Sequence, residues 1–360
     1  MSTFDFKTIT NPGVLNLGVF PARREPDFSK IIKLDANESL LGPSSMVAQR
    51  IKQTIDETNY YPDAGALDLK DALASHLDVA PEQLTLGNGS NDILDIIARV
   101  FAGPGDDVVF SQYGFIVYRM ASEAVNANPV MVPAKAWGND LDGMLAAITD
   151  KTKIIFLANP NNPTGTWCEK PALEAFLSKV PEHIIVVLDE AYTEYSTDGV
   201  LPNGLNYLRD HANLIVTRTF SKAYGLAALR VGFAAASAEL TNLLNRVRQP
   251  FNVNRLALTG AVAALEDQAH LAETVELTAK GMAQWIEGVN ELGLGYIPSR
   301  GNFICVDVGD ALLVTGALAE QNIFVCPLAN YGMPAYVRIT IGCKEDNAKV
   351  LKALKGLVGS

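Results

Sequence analysis

Cysteine is scarce in this 360-residue chain: Cys168, Cys305, Cys326 and Cys343 stand far apart and form no Cys-x-x-Cys pair. That spacing argues against a zinc ribbon or a redox dithiol, and it suits a reducing, cytoplasmic setting. The four histidines, His76, His183, His211 and His270, are scattered without ligand spacing, so no metal centre is expected. Basic charge is in deficit, with 29 Lys and Arg against 40 Asp and Glu for a net charge of −11. A nucleic acid or an anionic membrane would need a basic face, so neither is an expected partner; a local basic pocket for a small anion is still allowed. No apolar run approaches the ~20 residues of a membrane-spanning helix. Met1 to Thr10 has no apolar core, so no signal peptide is expected. Repeats and low-complexity segments are absent too. What remains is an ordinary globular composition, 48% hydrophobic and 19% charged, in a length that favours two domains.

Along the chain, Pro12 to Lys30 reads as an extended arm of the kind that lies across a partner subunit. Ile31 to Leu34 reads as a strand leading into a turn, Asp35 to Ser44, whose serines cap a helix from about Met46 to Thr58. Tyr60-Tyr61-Pro62-Asp63 breaks that helix, and Tyr61 is either a packed loop ring or a phenol that reaches a ligand phosphate. Apolar strands then alternate with helices from about Gln83 to Ala236, which predicts a largely parallel, doubly wound sheet. Leu84 to Leu86 runs through Gly87-Asn88-Gly89-Ser90-Asn91-Asp92 into a helix, a strand, turn and helix that can cradle a phosphate on free backbone N–H groups. Asp92 stands where a dinucleotide fingerprint needs its third glycine, which disfavours a nicotinamide enzyme. Other strands end in Tyr113, in the turn Asn159 to Gly165 with Asn162 between two prolines, and in Asp189-Glu190-Ala191-Tyr192. Ligands gather at the carboxyl ends of strands in such sheets, and a carboxylate like Asp189 there calls for a cation. Leu240 to Gln249 and Leu256 to Lys280 read as helices, the second long enough to link two domains. Phe303 to Val308, Ile323 to Val325 and Tyr336 to Ile341 read as strands of a smaller unit closing over the site. Arg338, inside the last, is either a surface fork or a clamp for a carboxylate.

The stretch Arg218 to Arg230 is the centre of the reading. Lys222 sits where a buried strand gives way to a loop, and Thr219, Ser221 and Arg230 offer hydroxyls and a guanidinium fork suited to a phosphate ester. A lysine amine beside a phosphate site points to a Schiff base with pyridoxal phosphate. An ordinary lysine, with a pKa of about 10.4, is charged at neutral pH, so burial and Arg230 are expected to favour the neutral amine.

Taken together these residues resemble the fold-type I pyridoxal phosphate aminotransferases, and several motifs look like those of the histidinol-phosphate aminotransferase family. The resemblance runs from Ala36-Asn37-Glu38 through Asn162-Pro163-Thr164-Gly165, Asp189-Glu190-Ala191-Tyr192 and Ser221-Lys222 to Arg338-Ile339-Thr340-Ile341-Gly342. It implies an α/β fold with an N-terminal arm and part of the small domain in residues 1–44, a large cofactor domain in 45–248 and a small C-terminal domain in 249–360. It implies pyridoxal 5′-phosphate as cofactor, with Lys222 as Schiff-base lysine and proton shuttle, Asp189 on the pyridine nitrogen, Asn162 and Tyr192 on the ring oxygen and Tyr113 stacked on the ring. Ser90, Asn91, Thr219, Ser221 and Arg230 hold the phosphate, joined by Tyr61 from the neighbouring subunit of a homodimer. Arg338 grips the carboxylate of glutamate or 2-oxoglutarate, with Asn37, Phe20 and Cys326 also on the substrate side.

Two places depart from the resembled pattern. Phe20 stands where a tyrosine is expected to meet the substrate phosphate, and Cys326 stands where an arginine is. Either Arg23 or Arg24 supplies the contact, or the amino donor carries no phosphate. Histidinol phosphate is the first expectation for the donor, and an aromatic or otherwise apolar amino acid is the alternative. A decarboxylase or lyase on the same scaffold shares Lys222 and Asp189, but Arg338 in its strand favours amine transfer. A regulatory protein on this fold would need a basic helix that this acidic chain does not have.

Overall fold

The computed structural model describes residues 4–19 and 27–358; Phe20, Arg23 and Arg24 lie outside them. After a first short strand, β1 (Ile32–Leu34), the apolar runs of the middle of the chain become β2 (Leu84–Gly87), β3 (Asp107–Ser111), β4 (Asn128–Val132), β5 (Thr152–Ala158), β6 (Ile185–Asp189), β7 (Leu214–Thr219) and β8 (Gly232–Ala236). They form one seven-stranded sheet in the order β2-β8-β7-β6-β5-β3-β4. The central pairs β3–β4, β3–β5, β5–β6 and β6–β7 are parallel. The expected doubly wound sheet is therefore present, with β8 alone reversed against both β2 and β7.

These strands are apolar throughout because both faces are covered. Val109, Ile155, Leu157, Val186 and Leu188 face one core, to which α1 (Ser45–Thr54), α2 (Leu67–Leu77) and, further on, other helices contribute. Val108, Phe110, Ile154, Phe156 and Val187 face a second core under α3 (Ser90–Phe101) and α4 (Ile116–Ala124). The remaining helices of this part are α5 (Leu141–Ala146), α6 (Lys170–Leu177), α7 (Ala238–Val247) and α8 (Arg255–Glu266). Leu173 and Phe176 of α6 and Ala257, Ala261 and Leu265 of α8 join the first core, while Leu240 and Leu244 of α7 join the second.

A five-stranded sheet follows, in the order β1-β11-β12-β10-β9, built from β9 (Tyr296–Ile297), β10 (Phe303–Asp307), β11 (Ile323–Pro327) and β12 (Tyr336–Thr340). β1 joins it in parallel with β11, so the N-terminal segment completes the C-terminal sheet. Its core gathers Trp285 and Val289 of α9 (Gln268–Glu291), Val314 and Leu318 of α10 (Ala311–Ala319), and Val350 and Leu354 of α11 (Lys344–Val358).

Three boundaries differ from expectation. The helix expected from Leu256 to Lys280 is two helices: at Asp267 the backbone leaves helical space (φ −97, ψ 65) and its side chain accepts the N–H of His270 as the cap of α9. The helix expected to reach Thr58 ends at Thr54 and tightens into a 3-10 turn over Ile55–Glu57. The described part of the arm holds short 3-10 turns, Pro12–Asn16 and Phe28–Lys30. The first of these is tied to the end of α4, where Asn11 Nδ2 donates to Ala124 O and Gly13 N to Asn126 Oδ1, both at 3.1 Å. Among the described residues no helix is long and apolar enough to cross a membrane, and no three His, Cys, Asp or Glu side chains gather as a metal cluster.

Candidate active site

The carboxyl ends of β5, β6 and β7 meet the start of α3 and the edge of the smaller sheet. β6 delivers Asp189, 5% exposed. Its Oδ2 accepts from the Tyr118 hydroxyl at 2.8 Å and its Oδ1 from Thr217 Oγ1 at 3.1 Å, across the β6–β7 register that sets Asp189 beside Thr217. Burial pushes the Asp189 pKa up against the pull of these donors and of the Ala191 N–H. No cationic side chain pairs with it among the described residues, so the site offers a buried carboxylate in want of a cation.

β7 hands over to a loop whose base is closed by the antiparallel pair Thr219 and Gly232. Lys222 Nζ donates to Ala36 O at 3.0 Å and lies 5.8 Å from the centre of the Tyr192 ring. Its pKa is pulled down to about 7, first by burial and then by Arg338, with Arg230 and Lys33 adding and Glu38 opposing. The sequence points to Arg230 as the charge that matters; the larger effect comes from Arg338, which only the second sheet brings near.

Arg230 takes a left-handed backbone (φ 56), and its Nη1 donates to Ser221 Oγ at 3.3 Å and Ala227 O at 3.0 Å. No carboxylate pairs with it among the described residues. Thr219 Oγ1 accepts from Ser221 N at 3.1 Å. Both hydroxyl oxygens thus act as acceptors, which leaves their own hydrogens for a ligand. Gly89 has φ +83, and a Cβ there would stand 2.4 Å from Arg230 Nη2; a Cβ at Gly232 would stand 2.6 Å from Ser90 N. Two glycines therefore let the guanidinium and the first N–H of α3, at Ser90, come close, with Asn91 next in the same turn. Guanidinium, helix N-terminus and free hydroxyls together suit a phosphate monoester. Asp92, in place of the third glycine, is structural: its Oδ2 accepts from Asn88 N at 2.8 Å and Asn252 Nδ2 at 2.9 Å.

The second sheet supplies Arg338, buried, with Nη1 donating to Asn162 Oδ1 at 2.5 Å and Nη2 to Asp35 O at 2.9 Å. Its guanidinium lies 5.6 Å from the Phe303 ring centre, and its buried Nε has no partner. Cys326 and Cys305 stand opposite Arg338 on either side in β11 and β10, so the three side chains share one face. Cys305 is closed off, its thiol donating to Pro163 O at 2.8 Å and pushed up to about 12 by burial. Asn162 sits within a turn that has cis peptides at Asn159-Pro160 and Asn162-Pro163. Tyr192, buried, accepts from Asn37 Nδ2 at 3.0 Å, and burial lifts its hydroxyl to about 12. Asn37 holds a left-handed turn (φ 55), with its N–H on Thr340 Oγ1 at 2.9 Å.

The structure thus brings together Lys222, Asp189, Tyr192, Asn162, Arg338 and Asn37, and beside them Ser90, Asn91, Thr219, Ser221 and Arg230. Tyr113 leans on Trp137 at 5.5 Å between ring centres. Tyr61 has no hydrogen bond or ring contact with any of these in its own chain; it is 78% exposed and stacks on Phe251 at 4.7 Å. The sequence reading missed Tyr118 and Thr217 on Asp189 and Thr340 behind Asn37. Thr217 was open to inference from strand alternation next to Thr219; Tyr118 carried no signal beyond an aromatic in an amphipathic helix.

The donor set fits pyridoxal 5′-phosphate: a phosphate cradle, a lysine amine poised near neutrality and a buried carboxylate lacking a cation. Comparison with known proteins agrees. The family model "Aminotransferase class I and II" matches residues 29–356. The chain is 49% identical to "Histidinol-phosphate aminotransferase 2" of Pseudomonas fluorescens (strain Pf0-1), covering 98% of each protein. It is also 49% identical to the protein of that name from Pseudomonas aeruginosa, covering 97% of this chain and 98% of the other. The crystal structure of histidinol-phosphate aminotransferase from Sinorhizobium meliloti in complex with pyridoxal-5′-phosphate superposes with a TM-score of 0.88 at 32% identity, covering 99% of each chain. This chain belongs to the class I and II aminotransferases, the pyridoxal phosphate-dependent transferases of fold type I.

Proposed function

We propose that this chain transfers the amino group of histidinol phosphate, the substrate in its relatives' names, to 2-oxoglutarate. The observation that carries the chemistry is Lys222, whose pKa burial and Arg338 pull down to about 7. Bound pyridoxal phosphate supplies an aldehyde and a ring that accepts the electron pair left when the α-proton departs. Asp189, short of a cation, keeps the pyridine nitrogen protonated. Asn162 Nδ2, which has no partner among the described residues, and the Tyr192 hydroxyl hydrogen serve the ring oxygen, while Tyr113 covers the ring. Ser90 and Asn91 N–H, Thr219, Ser221 and Arg230 hold the phosphate. With a pKa of about 7, Lys222 Nζ is neutral often enough at physiological pH to act as nucleophile and then to carry the α-proton. Arg338 receives the substrate carboxylate, with Asn37 behind it.

Tyr61, exposed in its own chain, serves the phosphate of a second copy in a homodimer. The enzyme works in the cytoplasm. Cys326 faces the variable end of the substrate; Phe20, expected beside it, lies outside the described residues. Cys326 carries no charge beside Arg338, and Trp137, Tyr113 and Tyr336 form an aromatic wall nearby. This favours, as a second reading, an aromatic donor without phosphate.

A half-reaction scan separates the two. Cofactor-loaded enzyme is mixed with histidinol phosphate, phenylalanine, tyrosine or glutamate, and loss of the bound cofactor's absorbance is followed. Fast conversion by histidinol phosphate supports the first reading; faster conversion by phenylalanine or tyrosine removes it in favour of the second.

A further inference from the structure

Behind the active-site strands lies a cavity of about 300 Å³ that the proposed chemistry does not use. It opens between α2, the junction of α8 and α9, and the loop that follows Tyr192. One wall is apolar, formed by Leu73 and Leu77 of α2, Phe233 of β8, and Leu265 and Leu271. The other is polar and contains Glu194 and Arg218, with Glu190 paired behind Arg218. Arg218 is already satisfied: its Nε and Nη2 donate to Glu190 Oε2 at 3.0 and 2.6 Å, and its Nη2 to Asn203 Oδ1 at 2.8 Å. Glu190 is satisfied as well, its Oε1 accepting from Gly204 N at 2.6 Å. That pair is neutral and closed.

Glu194 is different. It lines the same cavity, yet its Oε2 is buried and has no hydrogen-bond partner. The charged groups facing it are Arg218, whose charge is spent on Glu190, and Glu190 itself, which repels it. His76, on α2, is held toward its neutral form by burial and by Arg218, and Tyr224 adds only a phenol whose pKa burial raises. The cavity therefore carries one uncompensated acid above an apolar wall, at the lower end of the volumes that hold small molecules.

We infer that this cavity binds a small organic ammonium ion, its N–H on Glu194 Oε2 and its hydrocarbon body against Leu73, Leu77, Phe233, Leu265 and Leu271. An anion is disfavoured because Arg218, the only cation of the wall among the described residues, is already paired. The site abuts the catalytic strands from behind: Glu190 directly follows Asp189, and Arg218 lies between Thr217 and Thr219 on β7. An occupant there rests on the residues next to those that hold the cofactor.

The test uses the full chain saturated with pyridoxal phosphate and a tertiary amine, N,N-dimethylbutylamine, which cannot bond an aldehyde as a primary amine does. Calorimetric titration is expected to show one site per chain, weakened about tenfold or more in Glu194→Gln and weakened as pH falls through about 7, where Glu194 takes up its proton. Leu271→Phe, which fills the apolar side without touching the acid, is expected to lose binding as well while keeping the absorbance of the bound cofactor. No saturable binding at millimolar amine, or equal binding by wild type and both variants, overturns the inference.

Discussion

The hydroxyl of Tyr118 donates to Asp189 Oδ2 at 2.8 Å from a ring laid flat on Phe156, with centres 4.8 Å apart and planes 3° from parallel. The stack fixes the ring and the ring aims the proton, so one acceptor site of the carboxylate is permanently engaged. Replacing Tyr118 by Phe keeps the stack and removes that bond. A hydrogen bond to a charged group is worth about 1.5–3 kcal/mol, so the variant is expected to bind pyridoxal phosphate about tenfold or more weakly, with little change in Tm. Equilibrium dialysis of the cofactor reads this directly, and an unchanged dissociation constant would show that Thr217 and Ala191 suffice.

The Lys222 amine is neutral above its pKa of about 7 and charged below it. The rate at which the apo chain bonds added pyridoxal phosphate is expected to rise with pH through about 7 and not to wait for the usual lysine range near 10.4. Lys222→Ala should abolish transfer while leaving cofactor bound. Borohydride reduction followed by mass spectrometry then finds no cofactor mass on the chain; a labelled variant would point to another lysine.

Arg338 is held by Asn162 Oδ1 and Asp35 O before any substrate arrives. A lysine in its place keeps the charge but cannot form two parallel bonds to a carboxylate. Arg338→Lys is expected to raise KM for both glutamate and 2-oxoglutarate about tenfold or more. An effect confined to one of the two would argue against a shared carboxylate clamp.

Glu190 and Arg218 form a buried ion pair at 2.6 Å. Breaking such a pair by removing one partner costs about 3–5 kcal/mol, because the other charge stays buried alone. Glu190→Gln should lower the urea midpoint of the apo chain by that amount of stability, and a midpoint within experimental error of wild type would mean that water relieves Arg218.

Gly89 has a φ of +83, and a Cβ there would stand 2.4 Å from Arg230 Nη2, so a side chain is strained and meets the guanidinium. Gly89→Ala is expected to displace the guanidinium and weaken cofactor binding more than tenfold; retention of wild-type affinity would remove Arg230 from the phosphate cradle.

Most of the sheet was legible because its strands are buried on both faces and so read as unbroken apolar runs, as in Ile185 to Leu188 and Leu214 to Val216. The positions at their carboxyl ends, Asp189 and Thr219, followed from that. The reversal of β8 was not legible, since Gly232 to Ala236 has the same apolar composition whichever way it runs. The break at Asp267 was signalled only by a lone capping aspartate inside a helical pattern with no glycine or proline at the joint. Tyr118 and Arg338 act across elements far apart in sequence, and a linear pattern does not show which strand end a helix residue will meet. The stack of Tyr61 on Phe251 was not legible either, since the two lie far apart in sequence.

The antiparallel closure of Thr219 against Gly232 ties both ends of the stretch carrying Ser221, Lys222 and Arg230. Bringing those three together costs only the entropy of closing a short loop, which grows slowly with length. Asp189, Asn162 and Arg338 must be carried in from other strands through long crossovers. Half of the cofactor site is thus a local property of one chain segment, formed once two neighbouring strands pair, and the other half waits for the complete fold.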